Sequence, residues 1–388
     1  LNFVFPNELN VTWTVMIVLY PYITGLVAGA FIVSSLYHVF GRAELKAVAR
    51  FSLASAFVFL LFAPLPLLVH LGQPQRAFNI MITPNFNSAM AGFGFIYTAY
   101  LIVVVMEIWF VMRSGFIERA KGRGPVAWLC RAILLFNLHE DEATRRADHK
   151  IARFLAGLGI PMACLLHGYV GFLFGSLKAN PWWSTPLMFV IFIFSAIVSG
   201  ISVLIFHYFI IARINRWQVD ESCVRSLARY LWGFMIVAVS LELLEVMSIA
   251  YKQNEEWEVL GMLIREKLFI SYVVLQYLVF SLIPFLLLGL NALFRLKQRL
   301  AHATIWIAAT MLLVQVLLMR WNVVIGGQMV SKSMRGFTSY FPGIWEKEGI
   351  AVAIVIFTLP FGILWLFDKI IPLFPDVEKG RAAPGYKA

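Results

Sequence analysis

Cysteine is almost absent from this chain. Cys130, Cys164 and Cys223 stand far apart, with no CxxC pair among them. No disulfide framework and no cysteine-ligated cluster can be assembled from them. If the chain handles electrons, the iron–sulfur centres belong to a partner. Charge is scarce too: 14% of residues, against about 25% in a soluble domain. Acidic groups are the scarcer sign, 21 Asp plus Glu against 32 Lys plus Arg. In their place stand 61% hydrophobic residues, with 34 Phe, 13 Tyr and 12 Trp. Disorder, a disulfide-rich secreted module and an ordinary cytosolic enzyme are excluded. What remains is an all-α polytopic membrane protein.

An apolar run of about 20 residues crosses the hydrocarbon core. Nine such runs fall near 13–39, 50–72, 89–112, 152–175, 186–211, 229–251, 269–293, 302–324 and 350–373. Prolines inside them (Pro21, Pro64, Pro66, Pro161, Pro284, Pro360) are common in membrane spans. The net charge of +11 is no nucleic-acid signal, because the basic residues lie between apolar runs rather than along one face. They favour alternate loops: after spans one, three, five and seven, and in the tail at Lys369, Lys379, Arg381 and Lys387. The positive-inside rule then puts the N-terminus out and the C-terminus in the cytoplasm. The chain starts at Leu1 with neither an initiator Met nor a signal-peptide pattern, which leaves room for a segment before it.

No separate soluble domain fits. The longest non-membrane piece is 114–149, with an amphipathic stretch Val126–Leu138 and an acidic turn at His139–Glu142. It reads as an interfacial helix followed by a solvated turn.

A charged side chain at the bilayer centre costs roughly 2.5–3.5 kcal/mol on insertion scales, so such residues need partners and mark function. The topology gives their depth. His70, His167, Tyr169, Glu242, Glu245, Arg320, Asn322 and Tyr20 all fall in the outer half, and Gln276 nearer the inner side. A polar pocket opening outward is expected, with Arg320 and one of the two glutamates as an ion pair. The loops on that side are rich in Pro, Asn and Gly, which make ordered turns. Trp182 and Trp183 suit the headgroup belt, and Gly326-Gly327 suits a helix end. These loops could form a platform for an outer-face partner.

The stretch His70-Leu-Gly-Gln-Pro-Gln-Arg-Ala-Phe-Asn79, with Pro84-Asn-Phe-Asn-Ser-Ala-Met90, resembles the NrfD/PsrC family. These are membrane subunits of quinone-linked oxidoreductases, including polysulfide reductase. Arg320-Trp-Asn-Val-Val-Ile-Gly-Gly-Gln328 looks like the longer members, such as the DsrP subunit of sulfur-metabolism complexes and the membrane subunits of alternative complex III. The resemblance covers nearly the whole chain. It implies two four-helix bundles plus a peripheral helix: 1–175 with its inner loop, 176–328, then 329–388 with the last span. Longer relatives often have one more N-terminal helix. It also implies a lipid quinone, menaquinone being favoured, and no haem or iron–sulfur cluster in this chain. The expected partners are an extracytoplasmic ferredoxin-like iron–sulfur subunit and other subunits of an anaerobic respiratory complex.

The resemblance also suggests residues. Tyr169 matches a tyrosine placed near the quinone in the polysulfide-reductase branch, and His167 a histidine of the longer branch. A quinone-contacting histidine of the short branch falls at about Tyr20, which shifts the expectation to His167 as main ligand. Quinol oxidation releases two electrons and two protons. His167 can donate to a ring oxygen and accept a proton, Tyr169 can donate a second bond, and Glu242 or Glu245 can pass protons on. Glu107 and His207 could begin an inner-side proton path. Two other classes compete. A haem-b cytochrome would use histidines such as His70, His167, His38, His207 or His302, but no span carries two at the required spacing. A secondary transporter would place its pocket at the midplane, whereas these polar groups lie nearer one face.

Overall fold

A computed structural model of the protein describes residues 4–5, 10–253 and 255–374. The tail residues Lys379, Arg381 and Lys387, assigned from the sequence to the inner side, lie outside the described residues. Among the described residues, nine helical stretches are long and apolar enough to cross a membrane. They are built from α1 (Val15–His38), α2 (Lys46–Phe62) with α3 (Leu65–His70), α5 (Ala89–Ala120), α7 (Glu142–Gly175), α8 (Met188–Ile214), α9 (Glu221–Lys252), α10 (Glu255–Leu263) continued to α11 (Ile283–Leu293), α12 (Gln298–Trp321) and α13 (Ile350–Ile370). Two short helices lie outside them, α4 (Asn79–Ile82) and α6 (Pro125–Ile133).

The expected spans and the helices agree in number and order, but several helices overrun their apolar windows. α7 starts at Glu142 because Asp141 accepts the Thr144 backbone N–H at 2.7 Å. α9 starts at Glu221 because Asp220 accepts the N–H groups of Ser222 and Cys223. Such carboxylate caps satisfy orphan donors in water and let a helix begin before it reaches lipid. With α5 also running on to Ala120, the non-membrane piece shrinks to 121–141. Its amphipathic helix ends at Ile133, where the chain turns through left-handed Leu135 and Phe136.

Two stretches wind more widely than an α-helix: Ile264–Leu282 and Asn322–Gly326. The first ends just before Pro284, which has no N–H to give to a helical ladder. The second breaks α12 just past Arg320. Wide turns of this kind gather at functional sites.

α1 and α8 cross at the centre of the molecule and pack on α2, α7 and α12. Gly29 and Gly200 meet at that crossing, and a Cβ on either would overlap the other's backbone. Close backbone approach through small residues is the usual route to tight packing in lipid. α5 packs on α7 and α2, and α9 and α11 pack on each other near α12. α13 lies outside, against α2 and α1, with Ile354, Val355 and Trp365 exposed. Exposed apolar faces of this kind suit lipid. The alternating helix directions create two faces. One holds the loops with most of the basic residues and is called the basic face below. The other holds 71–88, 176–187 and 327–349.

Candidate functional site

Arg320 ends α12 in the half near the opposite face and is fully buried. Its guanidinium lies over the Phe192 ring, 3.8 Å from the centroid. It donates to Ser195 Oγ at 2.7 Å, to the Phe192 carbonyl at 3.4 Å and to Met319 Sδ at 3.1 Å. Its Nη2 lies 3.0 Å from His167 Nε2. A guanidinium can only donate, so His167 Nε2 must accept. The His167 ring proton then sits on Nδ1. That atom is buried and has no partner among the described residues. Gly25 of α1 makes room for the ring: a Cβ there would stand 3.4 Å from His167 Cε1 and 3.3 Å from Ser199 Oγ.

The expected ion pair of Arg320 with Glu242 or Glu245 does not form among the described residues. The fork points into the gap between α7 and α8, where Ser195 and the Phe192 face receive it. Glu242 instead ends a different chain. Ser271 donates to Asn322 Oδ1 at 2.8 Å, Asn322 Nδ2 to Gln276 Oε1 at 2.7 Å, and Gln276 Nε2 to Glu242 Oε2 at 2.9 Å. All three bonds run in the same direction and end on the carboxylate. Gln276 therefore sits at the depth of Glu242, not nearer the inner side as expected. Its span begins earlier than its apolar window, and wide turns change the register. Glu242 Oε1 and Glu245 Oε1 are buried and have no hydrogen-bond partner among the described residues.

Both glutamates line a cleft of about 40 Å³ with Gln276, Tyr272, Tyr277 and Trp182, and Met319 also lines it. Tyr277 donates to the Tyr272 hydroxyl at 3.1 Å, and Tyr272 meets the Trp182 ring edge-on at 5.4 Å. Met319 thus touches both groups: it lines the cleft and accepts from Arg320.

Trp182 and Trp183 are not in a headgroup belt. Both are buried, and their indole N–H groups donate to the carbonyls of Asn322 at 3.0 Å and Val323 at 2.6 Å. Asn180 Nδ2 donates to the Gly327 carbonyl at 2.8 Å. The loop before α8 therefore satisfies carbonyls at and just beyond the wide turn after Arg320. Gly327 does not simply end the helix. It admits the Trp183 ring, which a Cβ would overlap.

The other expected site residues lie apart. Tyr169 donates to the Ala89 carbonyl at 2.5 Å. Residues two apart on a helix project about 200° apart, so Tyr169 and His167 face different neighbours. The Tyr20 hydroxyl is buried without a partner among the described residues, with its ring edge-on to Phe93 at 5.6 Å. His70 Nδ1 lies 2.7 Å from Glu348 Oε2, and Glu348 also accepts from Thr14 Oγ at 2.5 Å. These residues tie three surface segments together and do not reach His167. Sequence reasoning misses Ser195, Ser271, Tyr272, Tyr277 and Glu348. The four-residue spacing of Tyr272 and Gln276, and serines within the apolar run of α8, are the signals that could find them.

Among the described residues, no cluster of three or more His, Cys, Asp or Glu could hold a metal ion. The fold and this chain of buried polar groups define a multi-pass helical membrane protein with a polar interior near one face. Residues 5–332 match the family model described as polysulphide reductase, NrfD. The chain belongs to that family. It is 26% identical to a subunit of the selenate reductase of Mesobacillus selenatarsenatis, over 92% of this chain and 87% of that protein. It is 25% identical to the Hdr-like menaquinol oxidoreductase integral membrane subunit of Archaeoglobus fulgidus, over 59% of this chain and 49% of the relative. It is also 25% identical to protein NrfD of Escherichia coli, over 59% of this chain and 70% of the relative. Membrane subunits of oxidoreductase complexes are thus its kin.

Proposed function

We propose that this chain is the quinone-binding subunit of a multi-subunit respiratory oxidoreductase in a bacterial or archaeal cytoplasmic membrane. The basic face is cytoplasmic. The quinone is taken up near the opposite face, and electrons pass to or from an extracytoplasmic ferredoxin-like iron–sulfur subunit on that side. The observation that carries the reading is a set of buried atoms without partners among the described residues, on two polar groups that meet at Met319: His167 Nδ1 and Arg320 Nε on one, Glu242 Oε1 and Glu245 Oε1 at the cleft. Buried polar atoms are nearly always bonded. Open donors and acceptors among aromatic walls suit a ring with two oxygens.

The residues present fit such a group in chemistry. Tyr272, Tyr277 and Trp182 supply flat apolar walls, and Met188 and Met319 can swing to widen a narrow cleft. A bound quinone supplies two-electron, two-proton redox chemistry. His167 donates its Nδ1 proton to a ring oxygen and is held in that tautomer by Arg320. Glu242 and Glu245 hold protons at the cleft wall, with Asn322 and Gln276 orienting Glu242. The free Tyr20 hydroxyl is a further donor, and Tyr169 becomes one if it leaves Ala89. His70 belongs to the surface where the partner docks. Menaquinone is favoured because a relative is named as a menaquinol oxidoreductase subunit.

The test is a titration of the purified protein with a fluorescent quinol analogue. Saturable quenching that weakens about tenfold in His167→Ala and Glu242→Gln supports the reading, since losing one hydrogen bond to a charged or buried group costs about 1.5 kcal/mol. Absence of saturable quenching by the folded wild-type protein rejects it.

A further inference from the structure

A second polar route lies on the basic side of the molecule, away from the cleft. Glu107, midway along α5, is fully buried, and neither carboxylate oxygen has a partner among the described residues. A charged group at that depth is costly and is retained for function by default. No basic side chain forms an ion pair with it among the described residues.

The helix explains what Glu107 can reach. Steps of four and three residues keep to one face of a helix. From Tyr97 this face of α5 runs Tyr97, Tyr100, Val104, Glu107, Val111, Ser114, Glu118 and Lys121. Its last four members line a cavity of about 1140 Å³ at the basic face, with His38 of α1 and His149 of α7 on other walls. Val111 is one turn from Glu107, about 6 Å along the axis. In the other direction, Tyr100 is fully buried, its hydroxyl has no partner among the described residues, and it lies within electrostatic reach of Glu107. A large cavity with both polar and apolar walls therefore ends about one turn below a buried carboxyl group, and the Tyr100 hydroxyl stands two turns above it.

We propose that Glu107 is a proton carrier fed from this cavity, and that the α5 face from Ser114 through Glu107 to Tyr100 is the basic-side half of a proton path. Each passage adds one proton from cavity water to a carboxylate oxygen and releases one proton on the far side. No electron moves, and the charge of Glu107 is restored. That the far end is a quinone site rests on the proposed function; the path itself does not. His207 takes no part. It is packed among Phe51, Phe206 and Phe361, and it does not line the cavity.

The experiment is infrared spectroscopy of the full chain in lipid vesicles during exchange from water to heavy water. The wild type is expected to show a carboxylic-acid carbonyl band that is missing in Glu107→Gln. Ser114 is exposed to the cavity, so Ser114→Cys can be blocked after folding with a bulky thiol reagent. Blocking is expected to slow exchange of that band about tenfold, since exchange requires an opening to water. Reductant restores the rate, and reagent-treated wild type controls for Cys164. Unchanged exchange in the blocked variant overturns the proposal, as does a band that never exchanges (a carboxyl held by trapped water). So does the lack of any band lost with Glu107. Glu107→Gln is expected to keep full quenching by the quinol analogue. Failure of quenching in the wild type would remove the quinone reading and leave the exchange result standing.

Discussion

Arg320 and His167, 153 residues apart, are joined by a 3.0 Å contact that leaves the histidine one free proton. The direction of that bond is fixed by chemistry, because guanidinium has no acceptor. Lysine cannot copy the arrangement. Its ammonium is a compact point charge, while Arg320 reaches Ser195, Met319 and His167 and stacks on Phe192. Arg320→Lys is expected to weaken quinol-analogue binding about tenfold while the protein still folds. Arg320→Ala is expected to destabilise by about 3 kcal/mol or more, through lost packing and stranded polar atoms. Melting in detergent, read beside the quenching titration, separates the two effects. Equal behaviour of the two variants would contradict the role given to the fork.

Gln276 stands between Glu242 and Asn322 and bonds both. Replacing it by leucine keeps the volume and strands two buried groups, each worth about 1–3 kcal/mol. Asn322→Leu removes one of the same bonds. The double variant is therefore expected to be less destabilised than the sum of the two, by about 0.5–3 kcal/mol of coupling. Additive losses in a thermal-melting cycle would show that the chain does not act as a unit.

The spans are legible because a 20-residue apolar window is a strong signal, and depth follows from counting along a regular helix; at Gln276, inside the wide turns of 264–282, it does not. Azimuth does not follow. His167, Tyr169, Tyr20 and His70 share a depth but face different neighbours, and only His167 joins Arg320. The expected ion pair fails for the same reason. Opposite charges at one depth pair only if their helices turn them toward each other, and Arg320 turns toward α8. Trp182 and Trp183 look interfacial because sequence gives no sign that the wide turn after Arg320 leaves carbonyls for them.

Gly29 and Gly200 predict a sharp contrast among glycines. Alanine at either would overlap the facing backbone at the α1–α8 crossing. Neither backbone can yield without parting the two central helices. Overpacking of this kind costs about 1–3 kcal/mol. Gly157 and Gly233 lie in helices with nothing within 4 Å of an added Cβ. Alanine there is expected to be neutral or to stabilise by about 1 kcal/mol from helix propensity. Melting temperatures of the four alanine variants test this directly. A tolerated Gly200→Ala would mean that the crossing is looser than described.

Glu348 links acidity to the surface that the partner is proposed to use. Burial alone would raise its carboxyl pKa. Hydrogen bonds from Thr14 and His70, with the charges of His70 and Lys347, outweigh burial and hold it below the ordinary 4.5. A carboxylate depressed in the folded state contributes stability above its unfolded value and loses it as pH falls through the folded one. The tie among Thr14, His70 and Glu348 is therefore intact near neutral pH and released by acid below the usual carboxylate range. Hydrogen exchange of the backbone at 338–349 is expected to be slow at pH 7 and to lose protection, relative to the intrinsic rate, on acidification. Glu348→Gln keeps the shape but not the charge, so its protection is expected to be lower at pH 7 and nearly independent of acid. Wild-type protection that persists below the folded value would mean that the tie holds this surface without its charge. The proposed docking face would then owe its order to its other contacts, such as the Val15 N–H on the Tyr340 hydroxyl and the packing of Trp321 on Tyr340.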